Sequence, residues 1–139
     1  MLRAVLDANI YVSAAVTPDG PAGQLVERFT RGGFEVVLSP ANVDEIRRVL
    51  AYRKIRKTVR PEFDLQGWFS GLVLIADLVE NRPPPRVCDD ADDDIYLAAA
   101  IEGRAGFVVT GDGPFLALEE YQGVRIVTPR TFLDLLGEA

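Results

Sequence analysis

Four acidic residues stand where carboxylates could do chemistry: Asp7, Glu45, Asp94 and Asp112. Asp7 directly follows the apolar run Arg3 to Leu6 and precedes Ala8-Asn9; taken alone it serves equally well as a turn former or a helix N-cap. Glu45 lies about one and a half turns into a helix opened by Ser39-Pro40, at the border of the apolar stripe Val43, Ile46, Val49 and Leu50. A solvated helix glutamate paired with Arg48 is the simpler account of that fragment by itself. The densest feature is CDDADDDIYL, with five aspartates in the six positions from Asp89 to Asp94. Asp89 and Asp90 fall in a loop, and Asp92 and Asp93 occupy a first helical turn whose dipole they complement. Asp94 precedes Leu97 and Ala98 by three and four residues, which turns it inward, and an inward carboxylate needs a partner. Thr110-Gly111-Asp112-Gly113 follows the strand-like Phe107 to Val109, and a plain Gly-Asp-Gly turn is its competing reading.

Gathering these carboxylates is costly, since two charges 4 Å apart repel by about 4 kcal/mol at an effective dielectric of 20. Protons or a hard cation offset such a cost. The chain has no histidine and one cysteine, Cys88, so imidazole bases, Ser-His pairs, thiolate clusters and intramolecular disulfides are excluded. Oxygen ligands alone suit Mg²⁺ or Mn²⁺, which can activate a water and steady a leaving oxygen in phosphodiester hydrolysis. A phosphohydrolase or phospho-acceptor with Asp7 as nucleophile is the rival enzyme class. That chemistry wants a lysine at a later strand end, and the two lysines, Lys54 and Lys57, both lie in the basic stretch after the second helix.

The elements that would position these residues alternate. Apolar runs Arg3 to Leu6, Glu35 to Leu38, Phe107 to Thr110 and Val124 to Val127 predict buried strands, with a weaker fifth at Asp77 to Val79. Helical spacing fills Gly20 to Arg31, Ser39-Pro40 to about Tyr52, Glu62 to Ala76, Asp92 to Gly103, Pro114 to Tyr121 and Pro129 to Gly137. Strands without strict alternation, separated by helices, predict one three-layer α/β/α domain over residues 1–139 with a central, mainly parallel sheet. In such sheets ligands bind beyond the carboxyl ends of the strands, the edge where Asp7 and Asp112 fall. No stretch approaches the roughly 20 apolar residues of a membrane span, and the lone cysteine points to a reducing cytoplasm. The formal charge of −6 argues at first sight against a nucleic-acid partner. The total hides a division, however: seven acids against two arginines between Asp77 and Asp94, but seven cations and no acid between Arg47 and Arg60.

The segments VLDANIYVSA, SPANVDEIRRVL, CDDADDDIYLAAA and FVVTGDGPFL resemble, in order and spacing, the four signature blocks of PIN domains, and within them the VapC-type toxins of bacterial toxin-antitoxin pairs. The resemblance spans essentially the whole chain. It implies a Mg²⁺- or Mn²⁺-dependent ribonuclease that leaves a 5′-phosphate and a 3′-hydroxyl. Asp7, Glu45, Asp94 and Asp112 match its acidic metal-binding and catalytic positions. Asn9, Ser13 and Thr110 match polar positions that support the site or contact phosphate, while Asp92 and Asp93 match a variable block in which one could be a supporting ligand. An RNA substrate, a small antitoxin whose basic side chain could enter the acidic pocket, and a homodimer are further implications. Trp68, Phe69, Leu72 and Val73 are the apolar residues available for dimerisation, with core burial as their alternative. A non-catalytic or RNA-processing subunit that binds RNA is the non-toxin reading.

Overall fold

Short strands that are apolar on both faces can bury both only in the middle of a layered sheet. The computed structural model, which describes residues 1–138, realises this arrangement. In chain order its elements are β1 (Arg3–Leu6), α1 (Ala8–Val16), α2 (Pro21–Thr30), β2 (Glu35–Leu38), α3 (Pro40–Leu50), α4 (Arg53–Arg56) and α5 (Leu65–Ile75). There follow β3 (Asp77–Leu78), α6 (Ala91–Glu102), β4 (Phe107–Val109), α7 (Gly113–Leu116), β5 (Glu120–Tyr121), β6 (Val124–Val127) and α8 (Pro129–Glu138). The six strands form one sheet in the order β3-β2-β1-β4-β6-β5, parallel except for the β5–β6 pair, with helices on both sides. Ala4, Val5 and Leu6 of β1 and Val36, Val37 and Leu38 of β2 are buried to the last residue. The chain leaves β1 in one direction for β2 and returns on its other side as β4, which makes the β1/β4 boundary the topological switch point.

Helix α3 has the start its sequence predicts, a capping box in which Ser39 and Asn42 each accept from the other's backbone N–H, with Pro40 in the first turn. Asn42 also donates to the Ile95 carbonyl at 3.1 Å, tying α3 to α6. Helix α6 ends against the sheet at Gly103, where an added Cβ would come within 2.4 Å of Val37. Only a residue without a side chain allows that approach.

Three expectations change. The segment Pro114 to Tyr121 is one helical turn rather than a helix: Glu119 takes φ 62°, and Glu120-Tyr121 then pairs with β6 around Gln122-Gly123, both at positive φ. A two-residue turn of that kind matches the strand twist and overrides the weak local helix preference. Helices α1 and α4 are present where no helix was anticipated. The Glu62 to Ala76 helix begins later, at Leu65, with the Asp64 carboxylate capping Gly67 N–H at 3.0 Å. Within it Phe69 and Leu72 are buried core residues, while Trp68 and Val73 are half-buried against that core. Among the described residues no helix is long and apolar enough to cross a membrane.

Candidate active site

Asp7 occupies the first position after β1, where the strand direction hands over to α1. It is 3% exposed and caps the helix, its Oδ1 accepting from Ile10 N–H at 3.2 Å. Its other oxygen accepts the Thr110 hydroxyl from the adjacent strand end. Thr110, fully buried, continues β4 and receives Asp112 N–H on its Oγ1 at 3.0 Å. Asp112 in turn caps α7, its carboxylate accepting from Phe115 N–H at 3.3 Å. A chain of contacts thus runs from Asp7 through Thr110 to Asp112 across the switch point. Burial pushes the Asp7 carboxyl up to about 6, with the charge of Asp112 adding to it, against the opposing pull of its hydrogen bonds to Thr110 and Ile10.

The aspartate run divides sharply. Asp90 caps α6, accepting from Asp92 N–H at 2.9 Å. Asp93, three residues on, comes round to the same side of the first turn and meets Asp112. Partial burial first, then the charges of Asp90, Asp112 and Asp7, push the Asp93 carboxyl up to about 7. Asp94 is turned inward as its spacing predicts and is 5% exposed, but its partner is structural. Its Oδ1 accepts the backbone N–H groups of Cys88 at 3.0 Å and Val87 at 3.3 Å, pinning the loop that leads into the helix. Asp93, read from the sequence as a supporting residue, is therefore the member of the run that confronts Asp112. The signal that could have found it is the Asp90-x-x-Asp93 spacing, a cap and the third helical residue. Asp92 is exposed.

Glu45 is 9% exposed beside the core and pairs with exposed Arg48, so its border position holds but its carboxylate already has a cation. It shares the surroundings of the Tyr96 hydroxyl with Asp7. The hydroxyls of Tyr96 and Tyr11 are both buried and, among the described residues, have no hydrogen-bond partner. Asn9 and Ser13 lie exposed on α1, and among the described residues their side chains make no hydrogen bond. Cys88, Asp90, Asp93, Asp112, Pro114 and Phe115 line an open cleft of about 490 Å³. Burial, followed by the nearby Asp94, pushes the Cys88 thiol up to about 12, which leaves it protonated and unreactive at neutral pH. Among the described residues no three acidic or cysteine side chains are gathered closely enough to hold a metal ion by themselves.

The site is thus a set of carboxylates at the switch point of a mainly parallel α/β sheet. Residues 3–113 match the PIN domain model, and the chain belongs to the PIN domain family. It is 22% identical to the uncharacterized protein MJ1680 of Methanocaldococcus jannaschii over 96% of this chain and 90% of that one. Its fold is also similar to a chain in the crystal structure of VapBC2 from Rickettsia felis bound to a DNA fragment from their promoter. The TM-score is 0.59 at 10% identity, covering 91% of this chain and 98% of that one.

Proposed function

We propose that the protein is a divalent-metal-dependent endoribonuclease in which Asp7, Asp93 and Asp112, aided by Glu45, form the acidic centre. The observation that carries this reading is the carboxylate group at the switch point, where burial and the charge of Asp112 raise Asp7 and burial and the charges of Asp90, Asp112 and Asp7 raise Asp93 toward neutral pH. An all-oxygen donor set of this kind fits a hard cation. Its openness fits Mg²⁺ or Mn²⁺, which retain waters and engage a few carboxylates together with substrate phosphate. When bound, such an ion supplies Lewis acidity toward the phosphodiester and the attacking water.

The chain's own residues do the rest. Thr110 and Ile10 fix the Asp7 carboxylate, so its orientation does not depend on the ligand. The turn capped by Asp112 presents that group at the cleft mouth opposite Asp93. Asp93, with a carboxyl that titrates near neutral pH, can hold or release a proton at its Oδ atoms as charge builds on the substrate. Asp94 is assigned a positioning role, holding Val87 and Cys88 and thereby the entry to α6. The phospho-acceptor alternative fits less well: both Asp7 oxygens are engaged, the side chain is nearly inaccessible, and both lysines lie on or beside α4.

The likeness to a VapBC2 chain supports a toxin role with a protein antitoxin as partner, and the homodimer and cytoplasmic location belong to the same proposal. The test is an RNase assay with Mg²⁺ or Mn²⁺ on wild type, Asp93→Asn and Asp94→Asn. Cleavage should disappear with excess EDTA and in Asp93→Asn. Activity that survives EDTA undiminished refutes the metal-dependent reading.

A further inference from the structure

The seven cations between Arg47 and Arg60 fall into two groups. Arg47 is built into the fold: it donates to Gln66 Oε1 at 3.2 Å and Ser70 Oγ at 3.1 Å and lies 5.1 Å over the Phe69 ring. Arg48 pairs with Glu45 and also lies in the field of Asp92 and Tyr52. The other five differ. Arg53, Lys54, Arg56 and Lys57 are exposed, and among the described residues none has an acid within 4.0 Å. Arg60 has a solvent-exposed partner, Glu62, at 3.8 Å.

Arg53 and Arg56 lie three residues apart on the four-residue turn α4, and Lys57 and Arg60 follow it. They line a concave cleft of about 550 Å³ together with Val59 and half-buried Phe63. Like charges at that spacing destabilise a helix, and α4 is a four-residue turn with no buried residue to offset it. Fold stability gives no reason to collect these charges. A groove of cations beside exposed aromatic surface, here Tyr52 and Phe63, is the combination that holds a single strand, with phosphates on the cations and bases against the rings. Helix α4 follows the C-terminal end of α3, the helix that carries Glu45 and Arg48, after only Ala51 and Tyr52.

Resting on the ribonuclease reading, we infer that the α4 groove of Arg53, Arg56, Lys57 and Arg60 binds the phosphate backbone of single-stranded RNA flanking the cleaved bond. It supplies sequence-independent affinity and the acidic site supplies the chemistry. The groove thereby answers how a chain of net charge −6 holds a polyanion.

The experiment measures binding without turnover. In the Asp93→Asn background with EDTA, a fluorescent unstructured 12-nucleotide RNA is titrated by anisotropy across a KCl series. The triple variant Arg53→Gln/Arg56→Gln/Lys57→Gln should bind about tenfold more weakly or worse, and its log K against log salt slope should be shallower by roughly 2, as expected for three lost phosphate contacts. A control with the same net charge, Arg28→Gln/Arg31→Gln/Arg130→Gln, should keep the parental slope. Far-UV circular dichroism and Tm verify that both fold. An unchanged slope and affinity in the α4 variant overturns the proposal. So does loss of binding to a polyglutamate peptide with RNA binding intact, which would make the groove a dock for an acidic protein. Because no cleavage is read, a protein that binds RNA through α4 yet never cuts it would leave the groove standing and remove the nuclease reading.

Discussion

The acidic cleft and the α4 groove carry opposite charge, and they differ even more in how tightly that charge is held. At the acidic site Asp7 is held by Ile10 and Thr110, Asp112 by Phe115 and Asp94 by Val87 and Cys88. Burial, working against those hydrogen bonds at Asp7 and together with the neighbouring acids at Asp93, is what moves both carboxyls toward neutral pH. In the groove Arg53, Arg56 and Lys57 are exposed and, among the described residues, have no acid partner, while Arg60 meets only the exposed Glu62, so their charge is kept in water at little cost to the fold. Chemistry requires the first kind of placement, because a carboxylate must be in position before the substrate arrives. Long-range attraction of a flexible polyanion needs only the second.

The largest effect that would test this contrast is on turnover. Asp7→Asn and Asp112→Asn should each lower RNA cleavage by roughly 100-fold or more in a metal-supplemented assay while leaving far-UV circular dichroism unchanged. Asn at position 7 can still cap α1, so a collapse of the fold in Asp7→Asn would count against a purely catalytic role.

The second effect is on stability against pH in the metal-free protein. Asp7 holds its proton up to about pH 6 when folded but releases it near 3.9 when unfolded. Between those values the folded state binds more protons, and Asp93, raised to about 7, extends the window, so stability must fall as pH rises from about 4 to 7 and level off beyond. The contribution is on the order of 3 kcal/mol for Asp7. Urea unfolding at pH 4.5 and pH 8 should show it, and added Mg²⁺ should raise stability at pH 8 more than at pH 4.5. A metal-free protein more stable at pH 8 would contradict the burial argument.

Next comes the division between neighbours. Asp94→Ala should cost about 2 kcal/mol, because two backbone N–H groups lose their acceptor. Asp93→Asn should leave Tm unchanged or raise it, since it removes repulsion within the cleft. Thermal melts of the two variants side by side decide the matter, and the reverse ranking would return Asp94 to the acidic centre. The smallest effect is the roughly tenfold loss of RNA affinity expected from neutralising α4.

Much of this was legible along the chain. The strand positions, the capping box of α3 and the strand-end placement of Asp7 and Asp112 follow from apolar runs, Ser-Pro signals and the rule for parallel sheets, all of which act over a few residues. The hairpin at Gln122-Gly123 was hidden because its evidence is a cross-strand pairing with β6, which local helix preference outweighs on paper. Core burial of Phe69 and Leu72 was likewise a matter of which face α5 turns to α3.

By itself the sequence determined the chemistry available: no histidine, one cysteine, acids at strand ends and a cationic segment, hence oxygen ligands and a polyanionic partner or none. Tertiary structure alone decided which aspartate of five meets Asp112 and which one fastens a loop. Asp93 and Asp94 are adjacent, carry the same side chain and lie about 100° apart around one helix. Only the positions of α7, beyond β4, and of the Val87-Cys88 backbone, in the loop before the helix, give those two directions different meanings.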